Sequence, residues 1–198
     1  MASKTPAPTV LQGRRIRLEP LRTDHVPDLF AAGGGDDEVW RWMPAATPRT
    51  QDDMRAVVDS LLAAAPDQLA FAVIDLASGK AIGSTTYHEI VPVDERLEIG
   101  WTWYGRAYWR TAVNTEAKLL LLTHAFEDLG MGRVQWRTDH MNTRSQNAVL
   151  RLGAHREGVL RRHRLRPDGT WRDSVYFSML AGEWPAAKAR LTDRLAKG

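Results

Sequence analysis

Length and composition place this chain of 198 residues, 43% hydrophobic and 26% charged, among folded single-domain proteins and not among disordered ones. It contains no cysteine, which excludes disulfides, thiolate nucleophiles and cysteine zinc sites and favours a cytoplasmic location. The formal net charge is +3 and the isoelectric point is about 9.4. Most of the basic residues are arginines, but they form no nucleic-acid-binding signature. No apolar run reaches the ~18 residues of a membrane span. We therefore expect neither nucleic acid nor a membrane as a partner.

The amino-terminal part begins with residues 1–9, which lack an apolar segment and are predicted to form a flexible tail. Apolar alternation then predicts a strand over 13–21, and helical spacing predicts helices over 25–32 and 50–64. The short segment between the two helices carries Trp40. This tryptophan fits either a separate small core cluster or one wall of a substrate pocket.

Three strands are predicted next, over 69–76, 81–91 and 96–103, and the first two form a hairpin. The third strand alternates strictly between apolar and other residues. One of its faces is predicted to carry Leu97, Ile99, Trp101 and Trp103. The opposite face is predicted to carry Glu98, Gly100 and Thr102.

Residues 109–130 combine a turn of small residues with an apolar helix that follows at once. Such a turn leaves backbone N–H groups at the helix N-terminus, where the helix dipole also favours negative charge, so the segment is suited to hold a phosphate. Thr111 or Asn114 is the predicted N-cap, Glu116 lies in the first turn, and Gly130 ends the helix. The apolar stripe comprises Leu119, Leu122, Ala125, Phe126 and Leu129. Taken alone, such a helix is more often only structural.

The carboxy-terminal part is predicted to contain a strand over 133–138, a helix over 143–152, a hairpin and a closing helix over 183–195. The hairpin strands cover 154–166 and 171–180 and are joined by a turn at 167–169. This order of elements predicts an α+β protein. Its central sheet is expected to be mostly antiparallel, with about seven strands flanked by four to five helices.

Four sequence motifs occur in the same order as in a known family. They are NTEAKLLLLTHAFEDLG at 114–130, TDHMNTRS at 138–145, LGAHREGVLR at 152–161 and DGTWRDSVYFSML at 168–180. Together with the order of elements, these motifs resemble the GNAT N-acetyltransferases of the RimJ/RimL-type branch. The resemblance implies a GNAT acyl-CoA N-acyltransferase domain over 10–185, followed by a C-terminal helix and tail over 186–198.

The resemblance also implies acetyl-CoA as the acyl donor and no metal. In this family the loop before the central helix binds the pyrophosphate of coenzyme A through backbone amides. The matching residues here are Arg110, Thr111, Ala112, Val113, Asn114 and Thr115. The strand with Ile99, Trp101 and Trp103 is expected to splay from strand 133–138 and to hold the pantetheine arm, with main-chain N–H groups facing the thioester. Asn142 matches the asparagine that binds the cofactor arm.

The chain departs from the family pattern in three ways. The loop usually carries glycine where this chain has Arg110, Ala112 and Asn114, which narrows the approach of a phosphate, although Arg110 supplies charge in exchange. Val149 replaces the tyrosine that serves as acid in many relatives, whereas Ser145 matches the serine proposed as acid in RimL-like members. Some of those members place an acidic general base where this chain has Arg164, so no base is implied there.

The general base must take a proton from the acceptor ammonium, directly or through water. Glu98 is the first candidate, although a carboxylate on a strand is also often simply paired with an arginine. His88 and Glu89 lie on the neighbouring strand, and one of them must point to the same face as Glu98. His88 is also a candidate contact of the acceptor substrate. Ser145 either protonates the leaving thiolate or caps a helix. The catalytic candidates are therefore Glu98, Asn142 and Ser145.

Other charged residues have structural interpretations. Asp139 and His140 are expected to shape the turn before Asn142, and Glu157 is expected to tie down the hairpin. Alternation predicts that one hairpin face carries Arg162, Arg164 and Arg166, and that the other carries Arg161, His163 and Leu165. Arg162 and Arg164 are candidate contacts of an acidic acceptor or acyl group, unless the row is only a solvated edge.

The sequence therefore predicts an acyl-CoA-dependent N-acyltransferase that transfers acetyl to a primary amine by direct attack, without a covalent intermediate. The acceptor is expected to be a protein N-terminal amine or a small-molecule amine. Two alternatives stay open, namely another donor such as succinyl-CoA and a non-catalytic acyl-CoA-binding regulatory module. A homodimer is compatible with the sequence.

Overall fold

The computed structural model describes residues 3–166 and 168–197 of the chain. The strands are β1 (Leu11–Gln12), β2 (Ile16–Pro20), β3 (Leu69–Asp75), β4 (Ala81–Val91), β5 (Arg96–Tyr104), β6 (Arg133–Asp139), β7 (His155–Leu165) and β8 (Trp171–Leu180). The helices are α1 (Val26–Gly33), α2 (Asp37–Trp40), α3 (Gln51–Ala63), α4 (Val113–Thr123), α5 (Thr143–Leu152) and α6 (Trp184–Ala196).

All strands belong to one sheet, in the order β1-β2-β3-β4-β5-β6-β8-β7. Every neighbouring pair is antiparallel except β5 and β6, which are parallel and are connected through α4. The predicted α+β architecture with a mostly antiparallel sheet is confirmed. The described residues hold eight strands and six helices, more than predicted, because β1 has 2 residues and α2 has 4, too few for a periodic pattern. The predicted hairpin turn includes Pro167, which lies outside the described residues.

Local sequence signals explain where several helices begin and end. Thr50 caps α3, since its hydroxyl accepts from the amide of Asp53 while the Asp53 carboxylate accepts from the amide of Thr50. Gly153 follows α5 with φ of 99°, a left-handed conformation that glycine adopts without steric cost. These two boundaries match the sequence prediction.

The amino terminus of α4 differs from the prediction. Ala112 is the N-cap, not Thr111 or Asn114, and no side chain caps the helix. The Thr111 hydroxyl donates to the Tyr108 carbonyl at 2.8 Å and accepts from the Val113 amide at 3.3 Å, whereas the Asn114 side chain accepts from the Tyr104 hydroxyl. The Val113 amide is therefore already bonded, and the backbone donors that remain available in the first turn are those of the following residues.

Two apolar clusters cover the two faces of the sheet. The larger, here the α4-side cluster, joins α4, α5 and α6 to one face and includes Leu122, Val134 and Phe177. The smaller, here the α1–α3-side cluster, packs the three amino-terminal helices on the other face. In α4 and the turn after it, Leu122 and most of the predicted stripe are buried, whereas Leu119 is only partly buried at its edge.

Strand β5 contains a bulge that reverses the predicted alternation. Thr86 pairs with Gly100 and Ser84 with Trp103, so two residues of β5 oppose a single residue of β4, and Trp101 has φ of 48°. One inserted residue moves all later side chains to the other face. The prediction that four apolar side chains share one face was therefore wrong: Leu97 and Ile99 lie in the α4-side cluster, but Trp103 lies in the α1–α3-side cluster and Trp101 packs against it.

Both ends of the described chain contact the domain. Helix α6 begins at Trp184, and Trp184, Ala187 and Leu191 are buried in the α4-side cluster. Near the amino terminus, the Ser3 hydroxyl donates to a carbonyl at 2.6 Å, and the Lys4 amide donates to another at 2.8 Å. Among the residues that the structure describes, no helix has the length and hydrophobicity needed to span a bilayer.

Candidate active site

The parallel strands β5 and β6 form a V-shaped cleft. They are paired only at Arg96–Arg133, Leu97–Val134 and Glu98–Gln135, after which β5 continues to Tyr104 and β6 to Asp139 without pairing to each other. The predicted splay of these strands is confirmed. Helices α4 and α5 begin just beyond the open ends of the two strands, so the mouth of the cleft lies between two helix N-termini.

The mouth beside α4 has the properties of an anion site. The side chain of the N-cap residue makes no cap bond to the eleven-residue helix, so the first-turn amides after Val113 and the positive end of the helix dipole are free to meet a phosphate. Arg110, directly before the helix, is exposed and has φ of 61°, the left-handed conformation that glycine favours. The chain thus places an arginine where the family resemblance implied glycine. These features fit the pyrophosphate of coenzyme A.

An arginine–tryptophan contact connects the two sides of the mouth. The Arg144 guanidinium, at the start of α5, lies 3.9 Å from the centre of the Trp109 ring, which belongs to the loop before α4. Trp109 is itself fixed, since its indole N–H donates to the Tyr104 carbonyl at 2.9 Å. Arg144 was not a candidate in the sequence, although it stands within the N-x-x-S motif between Asn142 and Ser145.

At the start of α5 the structure distinguishes the roles of Asn142 and Ser145. Asn142 is the N-cap, and its side-chain oxygen accepts from the amide of Ser145 at 3.0 Å. The hydroxyl of Ser145 does not cap the helix. Within the described part of the chain, neither this hydroxyl nor the Asn142 NH₂ group has a hydrogen-bond partner, so both are available to a ligand in the cleft.

A buried polar network lies at the closed end of the cleft. Glu98 is 1% exposed. One of its carboxylate oxygens accepts from Gln135 at 3.0 Å, and the other lies 3.2 Å from Arg137 Nε and 3.3 Å from His88 Nε2. Glu89 also contacts Arg137 and Gln135. The sequence predicted that one of His88 and Glu89 points to Glu98; both do, because a bulge at Glu89, with φ of 47°, turns its side chain to the same face.

We call the side of β4 to β8 that lies opposite α4 the polar face. Gly100 on this face makes room for the network, since a Cβ there would lie 2.2 Å from His88 Nε2. The ligand atoms of His88, Glu89 and Glu98 lie within 4.8 Å of one another, close enough to hold a metal ion. Arg137 contacts both carboxylates, however, so a guanidinium already meets their charge.

Burial shifts the proton affinities of this network in opposite directions. It raises the pKa of Glu98, although Arg137 and Gln135 oppose that effect. It lowers the pKa of His88 to about 4, and the charge of Arg137 acts in the same direction. His88 is therefore a neutral imidazole near pH 7, beside a carboxyl group that binds protons more strongly than an exposed one.

The last hairpin also contains a bulge, and the predicted alternation of its arginines was wrong. Leu160 pairs with Ser174 and Arg164 with Arg172, so three residues of β7 oppose one residue of β8, and Arg162 has φ of 50°. Arg162 stacks on Trp171 with its guanidinium 4.5 Å from the ring centre. Arg164 instead lies opposite Arg172 on the polar face, and its charge influences both His88 and Glu98.

Neighbouring residues on these strands have the structural roles that were expected. Asp139 accepts from the amide of Met141 at 2.9 Å, shaping the turn before α5, and also pairs with Arg166 at 2.7 Å. Glu157 ties the hairpin to β6 through two bonds to Arg133, of 2.6 and 2.7 Å. Both of these expectations are confirmed.

Trp40 is in a core position. It is 2% exposed, its indole N–H donates to the Gly33 carbonyl at 2.7 Å, and its ring centre lies 4.9 Å from that of Trp103. One edge of the residue also borders a cleft of about 340 Å³ between the loop after α2 and the hairpin tip, next to Met43 and Arg166. The structure therefore favours the core-cluster interpretation of this tryptophan, at the border of a cleft.

Besides Arg144, four residues of the site were missed in the sequence. Gln135 and Arg137 alternate with apolar residues along a predicted strand, which marks a polar face but not its partners. Lys118 interrupts an otherwise apolar helical stripe and is buried. Arg172 stood in a recognised motif without an assigned role. In each case the missing information was the cross-strand or helix-to-strand neighbour.

Comparisons with known proteins agree with this geometry. Residues 15–155 match the family described as Acetyltransferase (GNAT) domain. The crystal structure of a GCN5-related N-acetyltransferase from Brucella melitensis has a TM-score of 0.93 and 34% identity, covering 98% of this chain and 88% of that one. The Bacillus subtilis (strain 168) protein named "Putative ribosomal N-acetyltransferase YdaF" is 32% identical over 113 residues, which span 57% of this chain and 61% of that protein.

The structure of Mycobacterium smegmatis RimJ in complex with CoA-disulfide has a TM-score of 0.78 at 22% identity, covering 94% of this chain and 95% of that one, and shows the shared fold. The chain belongs to the GNAT acetyltransferases, a class of acyl-CoA-dependent N-acetyltransferases that use an acyl-CoA and an amine acceptor. The resemblance to the RimJ/RimL-type branch that the motifs indicated is confirmed.

Proposed function

We propose that this protein transfers the acetyl group of acetyl-CoA to a primary amine, and that the acceptor is the N-terminal amine of a protein. The observation that carries the proposal is the V-shaped cleft, which has an uncapped helix N-terminus at its mouth and the buried Glu98 at its closed end. The word "ribosomal" in the name of YdaF supports a protein acceptor. The cytoplasmic location, the homodimer and the absence of nucleic-acid and metal partners stay predictions from the sequence.

Acetyl-CoA supplies an acetyl group already activated as a thioester. Residues 110–115 are proposed to hold its pyrophosphate through backbone amides and the charge of Arg110. Asn142, whose NH₂ group is free while its oxygen caps α5, is proposed to bind the pantetheine arm. The bulged backbone of β5 around Trp101, where one residue is left out of the ladder, is proposed to donate to the thioester carbonyl.

Glu98 is proposed as the general base. Its raised pKa makes it a better proton acceptor than an ordinary carboxylate, and Arg137 and Gln135 hold it in place. His88 is proposed to relay the proton, because its side chain is 10% exposed against 1% for Glu98 and its Nε2 lies 3.3 Å from the carboxylate. The resulting neutral amine is the species that attacks the thioester.

Ser145 is proposed to give a proton to the departing thiolate. Its hydroxyl is half-buried, lies one turn into α5 and is not used by the helix cap. The positive end of the α5 dipole also favours negative charge at this position. Proton transfer at both ends of the reaction thus involves residues from opposite ends of the cleft.

The test is release of free CoA thiol from acetyl-CoA in the presence of a peptide with a free N-terminus. The same peptide with a blocked N-terminus is the control, and a small polyamine represents the other acceptor class. We expect thiol release and a mass gain of one acetyl group with the free peptide alone. Binding of acetyl-CoA without thiol release for any amine would contradict the proposal and identify a non-catalytic binding module.

A further inference from the structure

The polar face carries more positive charge than its carboxylates neutralise. Within the described residues, Arg133 is paired with Glu157, Arg137 with Glu89 and Glu98, and Arg166 with Asp139. Each acidic side chain of this face is therefore already engaged. Two further arginines of the same face, Arg164 and Arg172, form no ion pair and no side-chain hydrogen bond with any residue that the structure describes.

These two arginines lie side by side. They are directly opposite each other in the antiparallel register of β7 and β8, an arrangement of like charges that disfavours folding unless something else compensates it. Arg172 is half-buried, and its Nε–H is buried without a partner among the described residues. A buried unsatisfied donor is uncommon in a folded protein and calls for an explanation.

The charge of Arg172 is also poorly accommodated in the absence of an anion. Burial lowers its pKa, while Asp139 opposes this effect and the nearby Arg137 and Arg164 add to it. Asp139 is itself held by Arg166 at 2.7 Å and is not free to turn towards Arg172. The local surroundings thus favour the arrival of a negative group from outside the chain.

We propose that Arg164 and Arg172 form a carboxylate-binding subsite on the polar face, which selects a reactant that carries a negative charge. Two guanidinium groups in cross-strand register offer the paired N–H donors that a carboxylate accepts. The carboxylate belongs either to the acceptor amine or to an acidic acyl group such as succinyl. The proposal rests on the proposed function, because it assigns a substrate to the same cleft.

The position of the subsite defines how far the carboxylate is from the reacting amine. Glu98 is aligned through Gln135 with Ser178 of β8, so Arg172 lies two strand spacings across the sheet and six residues further along β8, about 22 Å away between backbones. The charged groups come closer than the backbones, because the charge of Arg164 acts on the pKa of Glu98 and that of Glu98 acts on the pKa of Arg172. An acidic side chain at the second residue of a fully extended peptide is the first that spans the remaining gap when the N-terminal amine lies near His88 and Glu98.

The experiment uses two peptides that begin Ala-Glu and Ala-Gln and are otherwise identical. Each is tested with acetyl-CoA, and the Ala-Gln peptide is also tested with succinyl-CoA. We expect kcat/KM to be at least about tenfold higher when one reactant is acidic than when both are neutral, mainly because KM is lower. The arm that shows the gain identifies whether the acceptor or the donor carries the carboxylate.

The variants are Arg172→Gln and Arg164→Gln, of which the second changes an exposed side chain. Each should remove most of the acidic preference while the affinity for acetyl-CoA, measured by calorimetry, stays unchanged. Arg156→Gln is the matched control, since Arg156 lies on β7 opposite Phe177 and therefore on the α4 side of the sheet. It should keep the full preference.

Calorimetric binding of the two peptides to CoA-loaded protein separates this inference from the proposed function. If thiol release is absent but the Ala-Glu peptide binds more tightly and Arg172→Gln abolishes the difference, the subsite stands and the proposed activity does not. Equal or undetectable binding of both peptides, together with equal rates for acidic and neutral donors, overturns the subsite. If Arg172→Gln and Arg164→Gln lower kcat/KM equally for the acidic and the neutral peptide, the subsite is also overturned. That result is the one expected of arginines with a purely structural role.

Discussion

The two sides of strand β5 carry different kinds of residues. On the α4 side, Leu97 and Ile99 pack into an apolar core, and Lys118 is the single buried lysine or arginine of the described residues. On the polar face, Glu98 is surrounded by groups that donate to it, chiefly Arg137 and Gln135. One side is a support for the backbone, and the other is a set of proton-transfer groups.

Lys118 shows how the supporting side acts on the cleft. Its ammonium group donates to Thr102 at 2.7 Å and to Thr85 at 3.3 Å, and the two hydroxyls lie 2.8 Å apart. Thr102 follows the bulged Trp101, so the lysine ties α4 to the irregular part of β5. The two sides of β5 therefore have different roles. Contacts from the α4 side fix the position of the bulged backbone, and the polar face supplies the acid–base groups.

The largest expected effect is on the polar face. Glu98→Gln keeps the shape and the bond to Gln135 but removes the base, so kcat should fall by about 100- to 10,000-fold. The affinity for acetyl-CoA should not change, because the cofactor is held at the other end of the cleft. Steady-state kinetics with the free peptide and calorimetry with acetyl-CoA measure the two quantities.

The matched control is Glu157→Gln, which removes another arginine-paired carboxylate of the polar face, on β7. It should change kcat little. A fully active Glu98→Gln enzyme, or equal losses in the two variants, would show that Glu98 is only one more partner of an arginine.

A smaller effect is expected at the start of α5. Ser145→Ala should lower kcat by about a hundredfold, the low end for loss of a proton-transfer group, and leave acetyl-CoA affinity unchanged. Asn142→Ala should weaken acetyl-CoA binding and also cost about 1 kcal/mol of stability, because it removes the helix cap. Thr143→Ala, an exposed neighbour on the same turn, is the control for both. Unchanged turnover in Ser145→Ala would rule out its acid role.

The last expected effect is on stability and not on activity, and it comes from the supporting side. Burial lowers the pKa of Lys118 to about 7 from 10.5. Below pH 7 the amine is protonated in both the folded and the unfolded chain, so the cost of burying its charge is present in full. Between pH 7 and 10.5 the unfolded chain holds a proton that the folded chain lacks, so stability rises by up to about 1.4 kcal/mol per pH unit.

Lys118→Met lacks this titration. The free energy of unfolding of the variant relative to the unchanged protein should therefore be highest at pH 6 and should decline towards pH 10, as measured by urea denaturation. Lys80→Met, at an exposed position, should show no such trend. A difference for Lys118→Met that is the same at every pH would mean that the folded chain keeps the lysine charged throughout.

The fold was predictable because its elements are long and periodic. Helix α3 was predicted from its helical spacing, and the motif around Asn142 and Ser145 marked the start of α5. Prediction failed at the bulges at Glu89, Trp101 and Arg162, because the two-residue period of a strand carries no sign of an inserted residue. All three bulges lie beside the proposed site, so the errors occurred where we expect the function.

The candidate site was only partly predictable for a related reason. Glu98 and His88 were recognised as residue types suited to acid–base chemistry, but their partner Arg137 lies on a strand distant in sequence. The pairing of Arg164 with Arg172 likewise depends on a register that the bulge shifts. Sequence patterns identify which residues share a strand, whereas charge balance depends on which strands are neighbours.

The central claim is that the uncapped end of α4 holds the pyrophosphate, and Ala112→Asp tests it most directly. Ala112 has helical angles, so a carboxylate at this position stabilises the helix mainly through the dipole, by roughly 0.3 to 1 kcal/mol, and it also places a negative charge against the phosphates. Repulsion of that kind is about 4 kcal/mol at 4 Å near a protein surface, so acetyl-CoA affinity should fall more than tenfold. Ala112→Ser, a neutral substitution at the same position, is the control and should keep the affinity.

The measurement is calorimetric titration of acetyl-CoA into the unchanged protein and these two variants. The account predicts binding to the unchanged protein and to Ala112→Ser, and at least tenfold weaker binding to Ala112→Asp despite its higher thermal stability. Equal affinity in all three proteins, or no binding to the unchanged protein, would contradict it.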